Sequence, residues 1–536
     1  MSRIDELRKQ VPQSVLDEEK QLSDRIMNLA RQHNEAHPDS PPTAAESEEL
    51  VKVRANLRDY LDTLEKNYPF YARVFTPGTI PIEELPLASD EALLEYAIGL
   101  HNVFLFVVSS NHTLKCYRLP LSLKQMEAKV RDFRNLVVGK RFSSRLAYDL
   151  FSNLLGGAPI YDQLPRRLVI VPHGFLALLP FEALNTASTG NPSFLATSHS
   201  IVYAQSASVL TWSRKFKRVP AGKPLFALAD PIFSVSDPRF IASASDPQRA
   251  TPEATSQDDL PVSQPQLLPA AGNTFHRLPE TQTEVKTLAS ILGVEPRPPD
   301  VLIGPYATKA ALLKADLAAY RYLHFATHAA ALGDPGRVNE PFLVLNQVNN
   351  PPGNNGLLTM SEIMDLKLNS DLVVLGACDT GAGDVLEGDG VASLASAFQF
   401  AGAESVVLSL WELPSDATLP FMRAFYQSLK QGRNKDEALQ AGRDAMRSLY
   451  PDPYYWAVFA LYSGSALRLE SVQVATSFGR NLQPASFGRR ARIVQSSLDY
   501  ARGKKHNVVV KKGWCDDPRC KSCPLAVEGK GHGIYD

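Results

Sequence analysis

Asp371–Gly383 reads DLVVLGACDTGAG: four apolar residues run into a turn of small residues that carries a single cysteine, Cys378. A run so apolar on both sides of the backbone is expected of a strand inside a parallel sheet covered by helices on both faces. The neighbouring stretches agree. KPLFALADP, EVKTLASILG, YRYLHFATH, FLVLNQ, GVASLASAFQFAG, ESVVLSLWEL and TLPFMRAFYQSLKQG alternate apolar strand candidates with helix candidates, the pattern of an α/β layered fold. The segments between the strands are long enough for the crossovers that parallel strands require.

The same texture reaches back to about residue 90. ALLEYAIGLHNVFLFVVSS and RRLVIVPHGFLALLPFEAL contain strand-like runs, and LKQMEAKVRDFRNLVVG and RLAYDLFSNLL read as helices between them. Residues 1–80 are charged, with apolar residues at helical spacing in LVKVRANLRDYLDTLEKNYPFYARV. HPDSPPTAAES is expected to break that helical segment as a loop. No repeat with a period of 20 to 50 residues is visible there. Residues 233–275 are rich in Ser, Pro, Ala and Asp and too poor in apolar residues to offset the entropy of ordering, so a flexible loop is expected. NQVNNPPGNNG reads as a shorter turn-forming insertion. Residues 467–536 form a tail with no clear fold.

With 536 residues the chain exceeds a single core, and 44% hydrophobic residues is ordinary for a globular protein. The 56 Lys and Arg nearly cancel the 57 Asp and Glu, which supplies no overall field for nucleic acid or an anionic membrane. The first residues lack an apolar signal segment and no run is long enough to span a bilayer. A cytoplasmic protein without a membrane partner is expected, with nucleic acid engaged only indirectly or through the basic tail. The cysteines are Cys116, Cys378, Cys515, Cys520 and Cys523, a distribution that argues against a disulfide framework in the main body.

Functional groups of parallel sheets collect at the carboxyl ends of strands. Cys378 stands at one such end and His328, fifty residues earlier in RYLHFATHAA, at another. If the two strands are adjacent and parallel, thiol and imidazole meet at one rim. The imidazole then takes the thiol proton, the thiolate attacks a carbonyl carbon, and the proton passes to the leaving amine. A lone cysteine in an apolar strand is more often inert packing, and a lone histidine a satisfied core residue. Here the small residues around Cys378 permit close approach of a substrate backbone, and each member of the pair strengthens the other.

The order and spacing of GACDTG after His328 are similar to the caspase signature. The closer resemblance is to the CHAT-domain family, caspase-like clan CD cysteine peptidases often fused to TPR repeats and related to separase. LVIVPHGFLALLPFEAL, YAQSASVL, LPETQTEVKTLASIL, ATKAALLKADLAAYRYLHFATHA, LVVLGACDTGAGDVLEGDGVASLASAFQFAGAESVVLSLWEL and DPYYWAVFALYSG carry it, over roughly residues 80 to 465. The resemblance implies a caspase-like three-layer α/β sandwich with Cys378 as nucleophile and His328 as base. It places the backbone N–H groups of Cys378 and Ala329 in the oxyanion hole, where charge develops during attack. The family usually has glycine after the histidine; alanine keeps the N–H and restricts φ. The resemblance also implies a degenerate first half over residues 81–232, in which His173 is structural, and an active half over 276–466.

Asp379, Asp384, Glu387 and Asp389 follow the nucleophile, where carboxylates could bind a basic P1 side chain or form a solvated loop. Asp379 adjoins Cys378 and leads this set. Trp411 in SLWEL could wall a substrate pocket or belong to the core. The tail spacing C-x4-C-x2-C-x8-H makes Cys515, Cys520, Cys523 and His532 zinc candidates against the default of an unstructured terminus; otherwise no cofactor is expected. The reading is a cysteine endopeptidase acting on a protein substrate, regulated by a partner protein or by cleavage in the 233–275 loop. A catalytically silent caspase-like signalling module and a thiol transpeptidase or acyltransferase are the alternatives.

Overall fold

The computed structural model describes several positions between 11 and 25, and residues 44–68, 80–99, 102–156, 160–215, 221–240, 275–331, 340–351, 354–376, 389–463 and 492–493. Its strands of three residues or more, in chain order, are β1 Glu91–Ile98, β2 Asn102–Ser109, β3 Leu114–Ser122, β4 Arg167–Val171, β5 Ser200–Tyr203, β6 Lys223–Ala229 and β7 Val301–Ile303. They continue with β8 Tyr320–Ala326, β9 Ala329–Ala331, β10 Pro341–Val344, β11 Leu357–Thr359, β12 Leu372–Leu375, β13 Ser405–Ser409 and β14 Phe459–Ser463. The helices used below are α1 Ala44–Asn67, α2 Leu123–Val138, α3 Ser144–Phe151, α4 Ala207–Lys215, α5 Pro279–Leu292, α6 Asp389–Ala401, α7 Ser415–Lys430 and α8 Lys435–Leu449.

Eleven strands form one sheet in the order β3-β2-β1-β4-β5-β14-β13-β12-β8-β6-β7. From β13 to β7 every pairing is parallel, as the apolar runs lead one to expect. β1, β4, β5 and β14 are also mutually parallel, but β14 meets β13 antiparallel. The two halves of the sheet therefore point their carboxyl ends to opposite edges. His173, just beyond β4, lies on the edge away from His328, and its Nδ1 accepts from the Ile98 N–H at 3.1 Å.

Helices cover both faces, and strand alternation shows which. On β8, Tyr322 and His324 meet Tyr426 of α7, whereas Phe325 meets Phe398 of α6. In the first half, α2 opens with a Ser122–Gln125 capping box and buries Met126, Val130, Phe133 and Val137 at helical spacing. The opposite face of β1, β2 and β4 packs Leu93, Phe104, Phe106, Val169 and Val171 beneath Ala207 and Leu210 of α4. α8 joins the halves through buried ion pairs, Arg443 to Glu182 at 2.8 Å and Asp436 to Arg167 at 3.0 Å.

Two expectations change. FLVLNQ does not supply a main-sheet strand: β10 lies between β9 and β11 in a separate antiparallel sheet, because a short apolar run specifies a buried strand without saying which sheet receives it. α1 begins at Ala44, inside HPDSPPTAAES. Pro41 and Pro42 disfavour helix, but Ala44, Ala45 and Glu46 are good helix formers and enter its first turn. Most of the expected loop, residues 241–274, lies outside the described residues, as does the tail except 492–493.

Candidate active site

β8 and β12 are adjacent and parallel, with Tyr322 opposite Leu372 and Phe325 opposite Leu375. The ladder runs one step further, where the Gly376 N–H donates to the Phe325 carbonyl at 2.9 Å. Every pair in this register is offset by fifty residues, the separation of His328 and Cys378 in the chain. Cys378 follows Leu375 by three residues, and His328 follows Phe325 by three. Cys378, Asp379, Asp384 and Glu387 themselves lie outside the described residues, as do Cys515, Cys520, Cys523 and His532; Asp389 opens α6 with its side chain undescribed.

His328 is buried, with 4% of its surface exposed. Its Nε2 lies 2.7 Å from the carbonyl oxygen of His276. A carbonyl only accepts, so Nε2–H donates and, in the neutral ring, the lone pair sits on Nδ1. Phe233 and Phe275 flank the imidazole with ring centroids at 5.3 and 5.5 Å, and both pack with Phe342 and Val344 of β10. The backbone around the histidine is also fixed: Val344 N–H donates to the His328 carbonyl at 2.9 Å, and Thr327 Oγ1 to the Val344 carbonyl at 2.5 Å.

The clamp on His328 comes from both ends of residues 233–275, and one carboxylate secures both ends. Asp230, just beyond β6, is fully buried and has φ of 47°. It accepts from Arg239 Nη1 at 2.6 Å and Arg277 Nη2 at 3.1 Å. Its hydrogen bond to Arg277 holds that guanidinium above its ordinary pKa. Arg239 also bonds Asp237, whose carboxyl is lowered by that contact.

Ala329, the residue after the histidine, opens the extended strand β9 and is not among the described residues with positive φ. Its Cβ therefore imposes no left-handed strain on the backbone that carries its N–H. Trp411 follows β13, whose Leu408 pairs with Leu375. It is buried, its indole N–H donates to the Tyr454 carbonyl at 3.0 Å, and its ring stacks near Tyr454.

Sequence reasoning did not single out His276, Glu284 or His324. The His276 contribution is a backbone carbonyl, which no side-chain pattern reveals. Glu284 and His324 left a trace: each is polar at a position where helical or strand periodicity calls for a core residue. His324 Nε2 lies 2.8 Å from Glu284 Oε1, its Nδ1 lies 3.1 Å from Tyr426 Oη, and Thr418 Oγ1 donates to Glu284 Oε2. Burial, and then the nearby Glu284 carboxylate, push the Tyr426 hydroxyl well above its ordinary pKa. Among the described residues, no group of three or more His, Cys, Asp and Glu could hold a metal ion.

The protein is of the layered α/β class, with His328 just beyond the carboxyl end of a strand in the parallel part of the sheet. A family model for the CHAT domain matches residues 140–465, and the chain belongs to that family. Tetratricopeptide repeat protein 28 of Homo sapiens is 31% identical over 224 residues, covering 36% of this chain and 9% of that protein. Its Mus musculus counterpart is 30% identical over the same length and shares. The chain thus spans under a tenth of the length of these curated relatives. Among solved structures, the Saccharomyces cerevisiae separase–securin complex aligns with 83% of this chain and 27% of that chain, at 12% identity and TM-score 0.32. The Arg specific cysteine proteinase gingipain R aligns with 63% of this chain and 75% of that chain, at 8% identity and TM-score 0.33. Among the described residues, no helix is long and apolar enough to cross a membrane.

Proposed function

We propose that this protein is a cysteine endopeptidase with Cys378 as nucleophile and His328 as its base. The observation that carries the reading is the fifty-residue register between β8 and β12. It makes the strand exits before His328 and Cys378 neighbours on one sheet edge, with the histidine already oriented by His276. Nδ1 of His328 takes the thiol proton, and sulfur adds to the scissile carbonyl carbon. The oxyanion receives the N–H groups of Cys378 and Ala329. Collapse breaks the C–N bond, the imidazolium proton goes to the departing amine, and water, deprotonated by His328, releases the acid from the thioester. Asp379, assisted by Asp384, Glu387 and Asp389, selects a basic P1 side chain through charge-assisted hydrogen bonds.

The substrate is a protein, and activity is regulated by a partner protein or by cleavage in the segment between Phe233 and Phe275. The test is covalent labelling with peptidyl electrophiles that differ at P1, the modified residue located by mass spectrometry. Modification at Cys378 that favours Arg or Lys at P1 and is lost in His328→Ala is expected. Labelling of Cys378 that ignores His328, or none with any probe even after cleavage in that segment and addition of candidate activating partners, would refute the endopeptidase reading and favour a silent module.

A further inference from the structure

The strand that leads to His328 carries a second histidine four residues earlier. His324 is fully buried on β8, between Val374 of β12 and Ala227 of β6. Its apolar neighbours make a polar network at this position costly. The Glu284 carboxylate from α5 and the Thr418 and Tyr426 hydroxyls from α7 satisfy it: Tyr426 O–H donates to Nδ1, Nε2–H to Glu284 Oε1, and Thr418 O–H to Glu284 Oε2. Well-packed apolar side chains often serve stability as well as such a buried ionic group, so its location needs a reason.

That location is the exit of β12, two residues before Cys378. Gly376 is the last described residue there. A Cβ built on Gly376 would lie 3.4 Å from both Glu284 Oε1 and His324 Nε2. The Glu–His pair therefore lies where a side chain at Gly376 would reach, beside the backbone leaving β12, whose N–H is tied to Phe325 on the strand that supplies His324.

We propose that Glu284 and His324 are positioning residues which, by bounding the space beside Gly376, set the path of the chain into Cys378 relative to His328. The inference rests on the peptidase reading and adds to it a support on the face of the sheet occupied by α5 and α7. Reactive groups displaced by about 1 Å lose up to about 100-fold in rate. A rigid prop under the strand exit prevents that displacement.

The test uses the full chain and two variants, Glu284→Gln, which keeps the shape, and the double variant Glu284→Met with His324→Leu. The readouts are the second-order rate of Cys378 modification by the best peptidyl electrophile and the thermal midpoint of the same sample. A positioning role predicts a rate about 10- to 100-fold lower in the double variant, a smaller loss in Glu284→Gln, and little change in thermal midpoint. Should the double variant fail to fold, Glu284→Gln alone decides. An unchanged rate per folded molecule in Glu284→Gln would overturn the inference while wild-type labelling still depends on His328. Loss of that dependence in the wild type would overturn the peptidase reading itself, and this inference with it.

Discussion

Replacing Glu95 with glutamine should make stability less sensitive to pH. Glu95 lies on β1, opposite Phe106 of β2 and Val171 of β4, on the face that also buries Leu93 and Ala97. It is fully buried, and neither carboxylate oxygen has a hydrogen-bond partner among the described residues. Burial alone pushes its pKa from 4.5 up to about 8. The folded protein thus keeps the acid protonated where the unfolded chain releases the proton. Below pH 4.5 both states are protonated and nothing is lost. As pH rises from 4.5 to 8, the unfolded state gains about 1.4 kcal/mol per pH unit. At pH 7 the gap from 4.5 amounts to about 3 kcal/mol, and near pH 8 to about 5 kcal/mol. Glutamine has nearly the same volume and does not titrate, so it keeps the packing and removes the pH-dependent part. Urea denaturation of Glu95→Gln and wild type at pH 5, 6, 7 and 8 gives the comparison. The advantage of the variant should grow steadily with pH from a small constant offset. A stability difference that stays flat from pH 5 to 8 would refute the argument, because it would mean that Glu95 ionises alike in both states.

Other outcomes follow from single contacts. Arg443→Met leaves the buried Glu182 carboxylate without its 2.8 Å partner, and a loss of about 3 to 5 kcal/mol in chemical denaturation is expected; a change below about 1 kcal/mol would mean that Tyr203 alone satisfies the acid. Gly402→Ala should fail to accumulate as folded protein, since Gly402 has φ of 120° and an added Cβ would lie 2.1 Å from the Leu368 carbonyl; circular dichroism of the soluble fraction checks this. Asp230→Asn weakens the hold of Arg239 and Arg277 on both ends of residues 233–275. Labelling of Cys378 should therefore slow by about 3- to 10-fold, the scale of the difference between a charged and a neutral hydrogen bond, with limited proteolysis near Phe233 and Phe275 accelerated. An unaltered cleavage pattern would show that the aromatic packing suffices.

The helices and strands were legible because hydrophobic periodicity depends only on local chain geometry. LKQMEAKVRDFRNLVVG became α2, and LVVL became a fully buried strand. His328 could be singled out because its type and its distance from Cys378 are properties of the chain. What lay beyond the sequence was partnership between remote segments. No local signal shows that β14, last of the main-sheet strands in the chain, inserts between β5 and β13 and turns the two halves' carboxyl ends to opposite edges. Nor does one show that FLVLNQ joins a small sheet beside His328.

The sequence by itself determined the alternation of strand and helix, the family to which the chain belongs, and the chemical identity of the histidine and cysteine, since each is a property of residue type and spacing. Only the tertiary structure decided that β8 and β12 pair fifty residues apart, that the His276 carbonyl orients the His328 ring, and that Glu284, His324, Thr418 and Tyr426 meet beneath Gly376. Those contacts join segments tens to more than a hundred residues apart. Hydrogen bonds of that reach exist only after the sheet has closed and the helices have docked.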